Sequence, residues 1–309
     1  MQPGTFDVVV GGAIGIDTNV YTQAGSIDAT VETHFTENLD YVGQSGGFSS
    51  RGFARLGKKT AVIGYVGDDY SGAYIRQELG RDGIDTTALF VDPLGTSRSV
   101  NLMSADGKRT SFLDGKGHMH LRPDLEVCRA VLAHACLAHF NIPNWARLLL
   151  PVARELSLTV SCDLHDIVSL PDTYRQDFID AADIVFFSAA HHADPAALMR
   201  EMGRGPRDKI VIVGMGSRGC AVGTGQIVRR FAAVPGDGPI VDTNGAGDGL
   251  AVGFLSSFVL DGYALEDAIR RGQIVARYTC TQKASSSHLM AQDMLDEQWH
   301  RLKHPRAVR

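Results

Sequence analysis

The sequence predicts an α/β fold, a doubly wound and mostly parallel central β-sheet flanked by helices, with a small β-lid. Three observations predict it: short apolar runs, helical stretches between them, and two alternating segments that break the rhythm. The runs are Phe6–Val10, Thr60–Val66, Ala135–Ile142, Leu158–Cys162, Asp183–Phe187 and Lys209–Val213, several nearly continuous in Val, Ile or Phe. Strands covered by helices on both faces read this way, because neither face meets water. The helical stretches Asp69–Leu79, Trp145–Leu156 and Pro195–Met202 alternate with them, as βαβ units require. Of the two interruptions, residues 18–45 are polar, alternate at Val31, Thr33 and Phe35, and end in a glycine-rich run. Residues 97–113 form two alternating runs around Asp106-Gly107, a pair suited to the positive φ angles of a type I′ turn. Together they predict a flap of the kind that closes over an active site; surface hairpins without a role fit the same pattern. With no linker, repeat or low-complexity stretch, residues 1–309 are expected to be a single domain with lid segments at about 18–45 and 97–113.

Composition narrows the function. The 309 residues carry 30 Lys+Arg against 35 Asp+Glu, a net charge of -5, which argues against a nucleic-acid partner and its basic face. The basic stretch His300–Arg309 is expected to be a solvated end. No apolar run approaches a membrane span, and MQPGTFD lacks the basic and apolar regions of a signal peptide. Five cysteines, an odd number with no CxxC pair, suit reduced thiols and a cytoplasmic location.

The strongest local signal is Asp242-Thr243-Asn244-Gly245-Ala246-Gly247-Asp248-Gly249, followed by apolar residues four apart at Leu250, Phe254 and Phe258. A helix beginning here offers unpaired N–H groups and a positive dipole end to an anion. Small residues let the amides of Gly245, Ala246 and Gly247 approach that anion closely, and Asp248 lies in the first turn beside it. A carboxylate so placed can take a proton from a hydroxyl attacking phosphorus while the amides stabilise the transferring group. Asp, Asn and Gly are also routine cap and turn residues, so an ordinary capped turn fits the spacing equally well.

DTNGAGDGLAVGFL resembles the C-terminal signature of the ribokinase-like carbohydrate kinases, the phosphofructokinase B family, whose pattern is D-T-x-G-A-G-D before a small-residue helix. Ala54-Arg55-Leu56-Gly57 through Ala61–Asp69, Gly15-Ile16-Asp17, and Asp106-Gly107-Lys108-Arg109-Thr110 resemble further family segments, in order, from about residue 6 to about 285. The resemblance implies a ribokinase-like fold with a β-lid over the sugar, and an ATP-dependent kinase of a sugar, sugar derivative or nucleoside that uses Mg²⁺. It implies Asp248 as catalytic base, Gly245, Ala246 and Gly247 as the anion hole, and Asp17, Gly46, Gly47 and Asn141 as acceptor-binding residues. It implies Gly216, Ser217, Gly219 and Gln273 at the ATP site, and Asp242 as the residue to hold a monovalent cation. An exposed lid edge is open to pairing with a second subunit as a homodimer.

Two further motifs are decoys. Gly214, Gly216 and Gly219 spell G-x-G-x-x-G after a strand, the mark of an NAD(P)-dependent oxidoreductase, but two short strands around a glycine turn are expected next where that fingerprint needs a helix. Gly52–Lys58 begins like a phosphate-binding loop, yet Lys59 stands where the Mg²⁺-binding hydroxyl belongs.

The chain also departs from the family pattern. In Gly43–Arg51 the usual sugar-binding asparagine is missing, and either Phe48 or Arg51 takes its place according to the direction of counting. Phe48 as an aromatic face favours a nucleoside or another substituted sugar over free ribose by stacking; Arg51 turned inward favours an acidic sugar, and turned outward is a surface residue. The family's N-x-x-E element, which orders Mg²⁺, is replaced by Ser188 and His191, and imidazole is a poor partner for a hard cation. No cysteine or carboxylate completes a zinc set with His118, His120, His191 or His192, so these are expected on the surface or at caps. A non-catalytic, kinase-like binding protein remains the alternative that these departures leave open.

Overall fold

The computed structural model describes residues 5–22, 30, 32–104, 109–204 and 207–304. In chain order its strands are β1 (Phe6–Gly11), β2 (Gly15–Thr22), β3 (Thr36–Gly43), β4 (Thr60–Val66), β5 (Asp85–Val91), β6 (Ser97–Met103) and β7 (Arg109–Asp114). After them come β8 (Ala135–Phe140), β9 (Thr159–Asp166), β10 (Ile184–Ser188), β11 (Ile210–Gly214), β12 (Cys220–Thr224) and β13 (Ile227–Phe231). They form a nine-stranded sheet in the order β13-β12-β11-β10-β9-β8-β1-β4-β5 and a four-stranded sheet in the order β3-β2-β6-β7. The large sheet is parallel from β5 to β11; β12 and β13 extend it antiparallel.

The apolar runs are buried on both faces, and alternate residues of β1 serve two cores. Val9 packs with Phe140, Trp145 and Leu149 on one side; Val8 and Val10 pack with Phe53, Leu250 and Phe254 on the other. The helices are α1 (Gln44–Arg55), α2 (Tyr70–Arg81), α3 (Leu125–Leu132), α4 (Leu150–Glu155), α5 (Gln176–Ala181), α6 (Ala196–Met202), α7 (Ala246–Leu255), α8 (Leu265–Thr279) and α9 (Gln292–Lys303). Helix α2 starts where Asp69 caps it, its carboxylate accepting the Gly72 N–H at 2.8 Å.

Two local expectations need correction. The alternation at Thr33 and Phe35 does not make a strand: β3 begins at Thr36. Val31 and the Asp106-Gly107 turn lie outside the described residues. Trp145–Leu156 is not one helix: Asn144–Leu149 is a 3₁₀ helix, and α4 restarts at Leu150 with Pro151 in its first turn, where a missing N–H costs little. Strand β5, at one edge of the sheet, carried no sequence signal because Asp85, Thr86 and Thr87, only partly covered or exposed, leave no apolar run over its first half.

Candidate active site

Strands β1 and β8 are neighbours from which the chain winds outward in opposite directions, to β4 and β5 on one side and to β9, β10 and β11 on the other. In such sheets ligands sit in the crevice beyond the C-terminal strand ends at this switch point. Asn141 follows β8 there, its N–H donating to the Gly11 carbonyl at 3.0 Å. Its side chain is fully buried, yet neither Oδ1 nor Nδ2 has a partner among the described residues. Gly12 makes room for it: a Cβ there would overlap the Asn141 amide oxygen and lie 2.8 Å from the Gly46 Cα.

The small sheet stands over this crevice. Asp17, Asn19 and Tyr21 alternate along β2 and share one face with Tyr41 of β3 and with Ser99 and Asn101 of β6, by register. Asp17 Oδ2 accepts the Gln44 N–H at 3.2 Å, whereas the buried Oδ1 is unpartnered among the described residues. Burial pushes the Asp17 carboxyl up, against the opposing pull of the Gln44 N–H, Ser99 and Arg109.

On the opposite wall, Gly245 caps α7 in the left-handed region at φ 78°. A side chain is excluded there twice over, because a Cβ would also meet the Phe48 ring at 2.6 Å and the Ser285 hydroxyl at 2.8 Å. The Ala246 N–H turns back to the Thr243 carbonyl at 3.3 Å. Gly247 borders open space, with nothing within 4 Å of where its Cβ would be. Asp248 follows, its Oδ1 enclosed and unpartnered among the described residues. Burial and the carboxylate of Asp163 raise its proton affinity well above the ordinary value, while Arg109 opposes them.

The structure thus gathers Asp17, Asn141, Gly247 and Asp248 about one crevice, and adds Asp163, which no motif marked, and Arg109, which the Asp106–Thr110 segment contained without a role. Asp163 lies near the C-terminal end of β9, where strand-end position was the available signal. Arg109 begins β7 and donates to the Asn244 side chain, a contact between segments 135 residues apart that no local pattern reveals.

Other expected residues also serve the fold. Gly46 does not offer a free amide, since its N–H donates to the Ala13 carbonyl at 2.8 Å; Gly47 is packed inside α1 against Val42 and Ile14. Both are glycines for close approach. Asp242 is fully buried and filled by protein donors: its Oδ2 accepts from Asn19 Nδ2 at 2.8 Å and Tyr21 OH at 2.6 Å, its Oδ1 from the Asn244 N–H at 2.7 Å. That donor set ties the small sheet to the turn and does not fit a monovalent cation. Gln273 is buried and holds β13 and the segment after it, accepting from the Val234 N–H at 3.0 Å and donating towards Cys220 Sγ at 3.0 Å and the Phe231 carbonyl. Its amide therefore presents no free edge to adenine. Gly216 and Ser217 form a 3₁₀ turn after β11, and Gly219 at φ 88° closes it where a Cβ would strike the Phe231 carbonyl. A strand, β12, follows Gly219 directly, so the dinucleotide fingerprint lacks its helix.

Phe48 is buried as the seat of Gly245 and gives no aromatic face to a substrate. Arg51 turns away from the crevice to Asp82 at 2.5 Å and Glu78 at 3.6 Å. His191 Nε2 lies 2.9 Å from Asp166 Oδ2 and holds that carboxyl below its usual range, and His192 reaches the Ile167 carbonyl at 2.7 Å. Among the described residues no three His, Cys, Asp or Glu side chains form a metal-binding group, and no helix is long and apolar enough to cross a membrane.

Comparison with known proteins agrees with this architecture. Residues 7–291 match the pfkB family of carbohydrate kinases. The chain is 34% identical over 290 residues to an acarbose 7(IV)-phosphotransferase of Actinoplanes sp., covering 90% of this chain and 93% of that protein. It is 30% identical over 264 residues to an ATP-dependent ribose-1-phosphate kinase of Halopiger xanaduensis, covering 80% of this chain and 86% of that protein. A microbiome-derived acarbose kinase superposes with a TM-score of 0.87 at 30% identity, over 96% of this chain and 99% of that one. Ribokinase from Arabidopsis thaliana, solved with ribose and ATP, shares the fold at a TM-score of 0.79 and 19% identity, over 95% of this chain and 98% of that one.

Proposed function

Because the chain belongs to the pfkB family of carbohydrate kinases, we propose that it transfers the γ-phosphoryl group of ATP to a hydroxyl of a substituted sugar, with Asp248 as the base. The observation that carries this reading is the enclosed, unpartnered Oδ1 of Asp248 beside the open edge of Gly247 at the start of α7. An attacking hydroxyl held by Asp17 Oδ1 and the Asn141 amide, which have no partners among the described residues, would lose its proton to Asp248 Oδ1. The Gly247 amide, and not that of Ala246, which is turned to the Thr243 carbonyl, would take the charge of the transferring group as it moves. Raised proton affinity suits this role, since a carboxylate with more of it is a stronger base once ionised.

The residues fit ATP at the Gly216–Gly219 turn and the α7 N-terminus, where open space lies above Gly216 and Gly247. Asp163 and Asp248 are hard oxygen donors of the kind that hold Mg²⁺, an ion bound by one or two carboxylates with phosphate and water completing its shell. That ion, when bound, supplies neutralisation of phosphate charge.

The acceptor class we favour is a substituted sugar of the acarbose kind, on the strength of the relatives that share 34% and 30% identity with this chain. An ADP-release assay with acarbose, ribose, ribose 1-phosphate, fructose and adenosine tests both levels. Turnover of acarbose at least tenfold above ribose is expected. Faster turnover of ribose removes the substrate class, and no ADP release with any acceptor removes the kinase reading.

A further inference from the structure

Gln44 stands in a conformation that glutamine rarely adopts, at φ 58°, immediately after the Gly43 that caps α1. Its side chain folds back onto β2: a Cβ on Gly15 would lie 2.6 Å from Gln44 Nε2. Nε2 donates to Ser97 Oγ at 2.7 Å, and Ser97 Oγ donates its own proton to the Asp114 carbonyl at 3.0 Å. Since that hydroxyl has one proton, it must accept from Gln44, which fixes the nitrogen towards Ser97 and the oxygen away from it. Oε1 is enclosed and has no donor among the described residues. The backbone N–H of the same residue holds Asp17 Oδ2, while Asp17 Oδ1, on a side chain only 7% exposed, also has no donor among the described residues. Two buried acceptors therefore stand on neighbouring side chains, and a buried acceptor without a donor is costly.

We propose that Gln44 is a second acceptor-binding side chain, its Oε1 taking a hydrogen bond from the substrate beside the one taken by Asp17 Oδ1. Both protein atoms accept only, so the substrate must bring two neighbouring donors, as vicinal hydroxyls or a hydroxyl beside an amine do. Strained residues concentrate where function requires their position, and the amide of Gln44 reaches this place only through that backbone. The assignment rests on the kinase reading above and names a specificity residue for it. It also gives an account of the asparagine missing from the Gly43–Arg51 run: an amide reaches the sugar from position 44 instead.

The test uses Gln44→Gly and Gln44→Asn in the full chain, with whichever of acarbose, ribose, ribose 1-phosphate, fructose or adenosine the wild type phosphorylates best. Glycine accepts the positive φ and keeps the N–H to Asp17, so the variant is expected to melt at or above the wild-type temperature. KM for the acceptor should rise at least tenfold in both variants, with KM for ATP within twofold of wild type. Asparagine tolerates the same backbone but is too short to span to Ser97, so it separates loss of the amide's reach from relief of strain. An active wild type with unchanged acceptor KM in Gln44→Gly overturns the assignment and leaves the kinase reading intact. A parallel rise in both KM values assigns Gln44 a structural role and overturns it as well. A wild type inactive on every acceptor overturns both together.

Discussion

Burial and the Asp163 carboxylate both work against ionisation of Asp248, and Arg109 works for it. The proposed base must be ionised to act, so kcat/KM should rise with pH along an acid limb that lies above the ordinary carboxylate value of 3.8. Asp163→Asn removes a like charge, lowers the proton affinity of Asp248, and should move that limb to lower pH. Arg109→Gln removes the opposing cation and should move it to higher pH. Shifts of the opposite sign in a pH–rate profile would exclude this electrostatic arrangement. Asp248→Asn keeps the size of the side chain at a half-covered first-turn position, so folding should survive while kcat falls by about 10²-fold or more; near-normal turnover removes Asp248 as the base. A role for Asp248 was legible in the spacing of its turn, and one for Asp17 only through the family resemblance of Gly15-Ile16-Asp17. Asp163, Arg109 and Gln44 were not, because their meaning comes from partners far along the chain. Gln44 meets Ser97 only after β6 has joined β2, and Arg109 meets Asn244 only after β7 has joined β6.

Between elements, the small sheet and the turn before α7 share one buried polar network. Asn19 is fully buried, with its Oδ1 accepting from Tyr41 OH at 3.2 Å and Asn101 Nδ2 at 2.8 Å and its Nδ2 donating to Asp242. Tyr41 OH in turn accepts from Asn244 Nδ2 at 2.8 Å. Such a network rigidifies when every member is satisfied and is costly when one is lost. Tyr41→Phe removes one hydroxyl and leaves Asn244 without an acceptor, a loss of about 1–3 kcal/mol in denaturant unfolding. In a double-mutant cycle with Asn244→Ala, the two losses should couple by at least about 0.5 kcal/mol. Strict additivity would mean that the hydroxyl and the amide act independently and that the sheet is not anchored to the turn through them. Element existence was legible wherever both faces of a strand are buried, as in β1, β4 and β8. It failed where an edge or a proline interrupts the period, at β5 and at Asn144–Leu149. The network itself was invisible for a different reason: asparagine and tyrosine on alternating positions of a strand read as a solvent face, and only the turn closing over them makes them interior.

Across the whole molecule, the parallel sheet was predictable because its strands are apolar on both faces, whereas the small sheet was predictable as a β-flap from the alternating segments that interrupt that pattern. That difference in coverage persists in the folded chain. Val8, Val9 and Val10 of β1 are completely buried between β4 and β8, while every residue of β7 is exposed. Strands β2, β3 and β6 depart from the body at Gly15, Gly43 and Ser97, so the sheet is connected at one end and held by the Asn19–Asp242 network further along. Amides in a fully covered strand exchange through global unfolding, and those in an exposed sheet exchange through smaller openings. A ligand that bridges Asp17 and the α7 turn should close the smaller openings and leave the larger one nearly unchanged. Hydrogen exchange with acceptor and a non-hydrolysable ATP analogue is therefore expected to slow in Gly15–Thr22, Thr36–Gly43 and residues 242–248 together, with Val8–Val10 unaffected. If only the 242–248 turn slowed while β2 and β3 exchanged as before, the small sheet would not be acting as a lid. Slowing confined to β1 and β8 would put the ligand's effect in the body of the fold, and the crevice beneath Asp17 would not be where it binds.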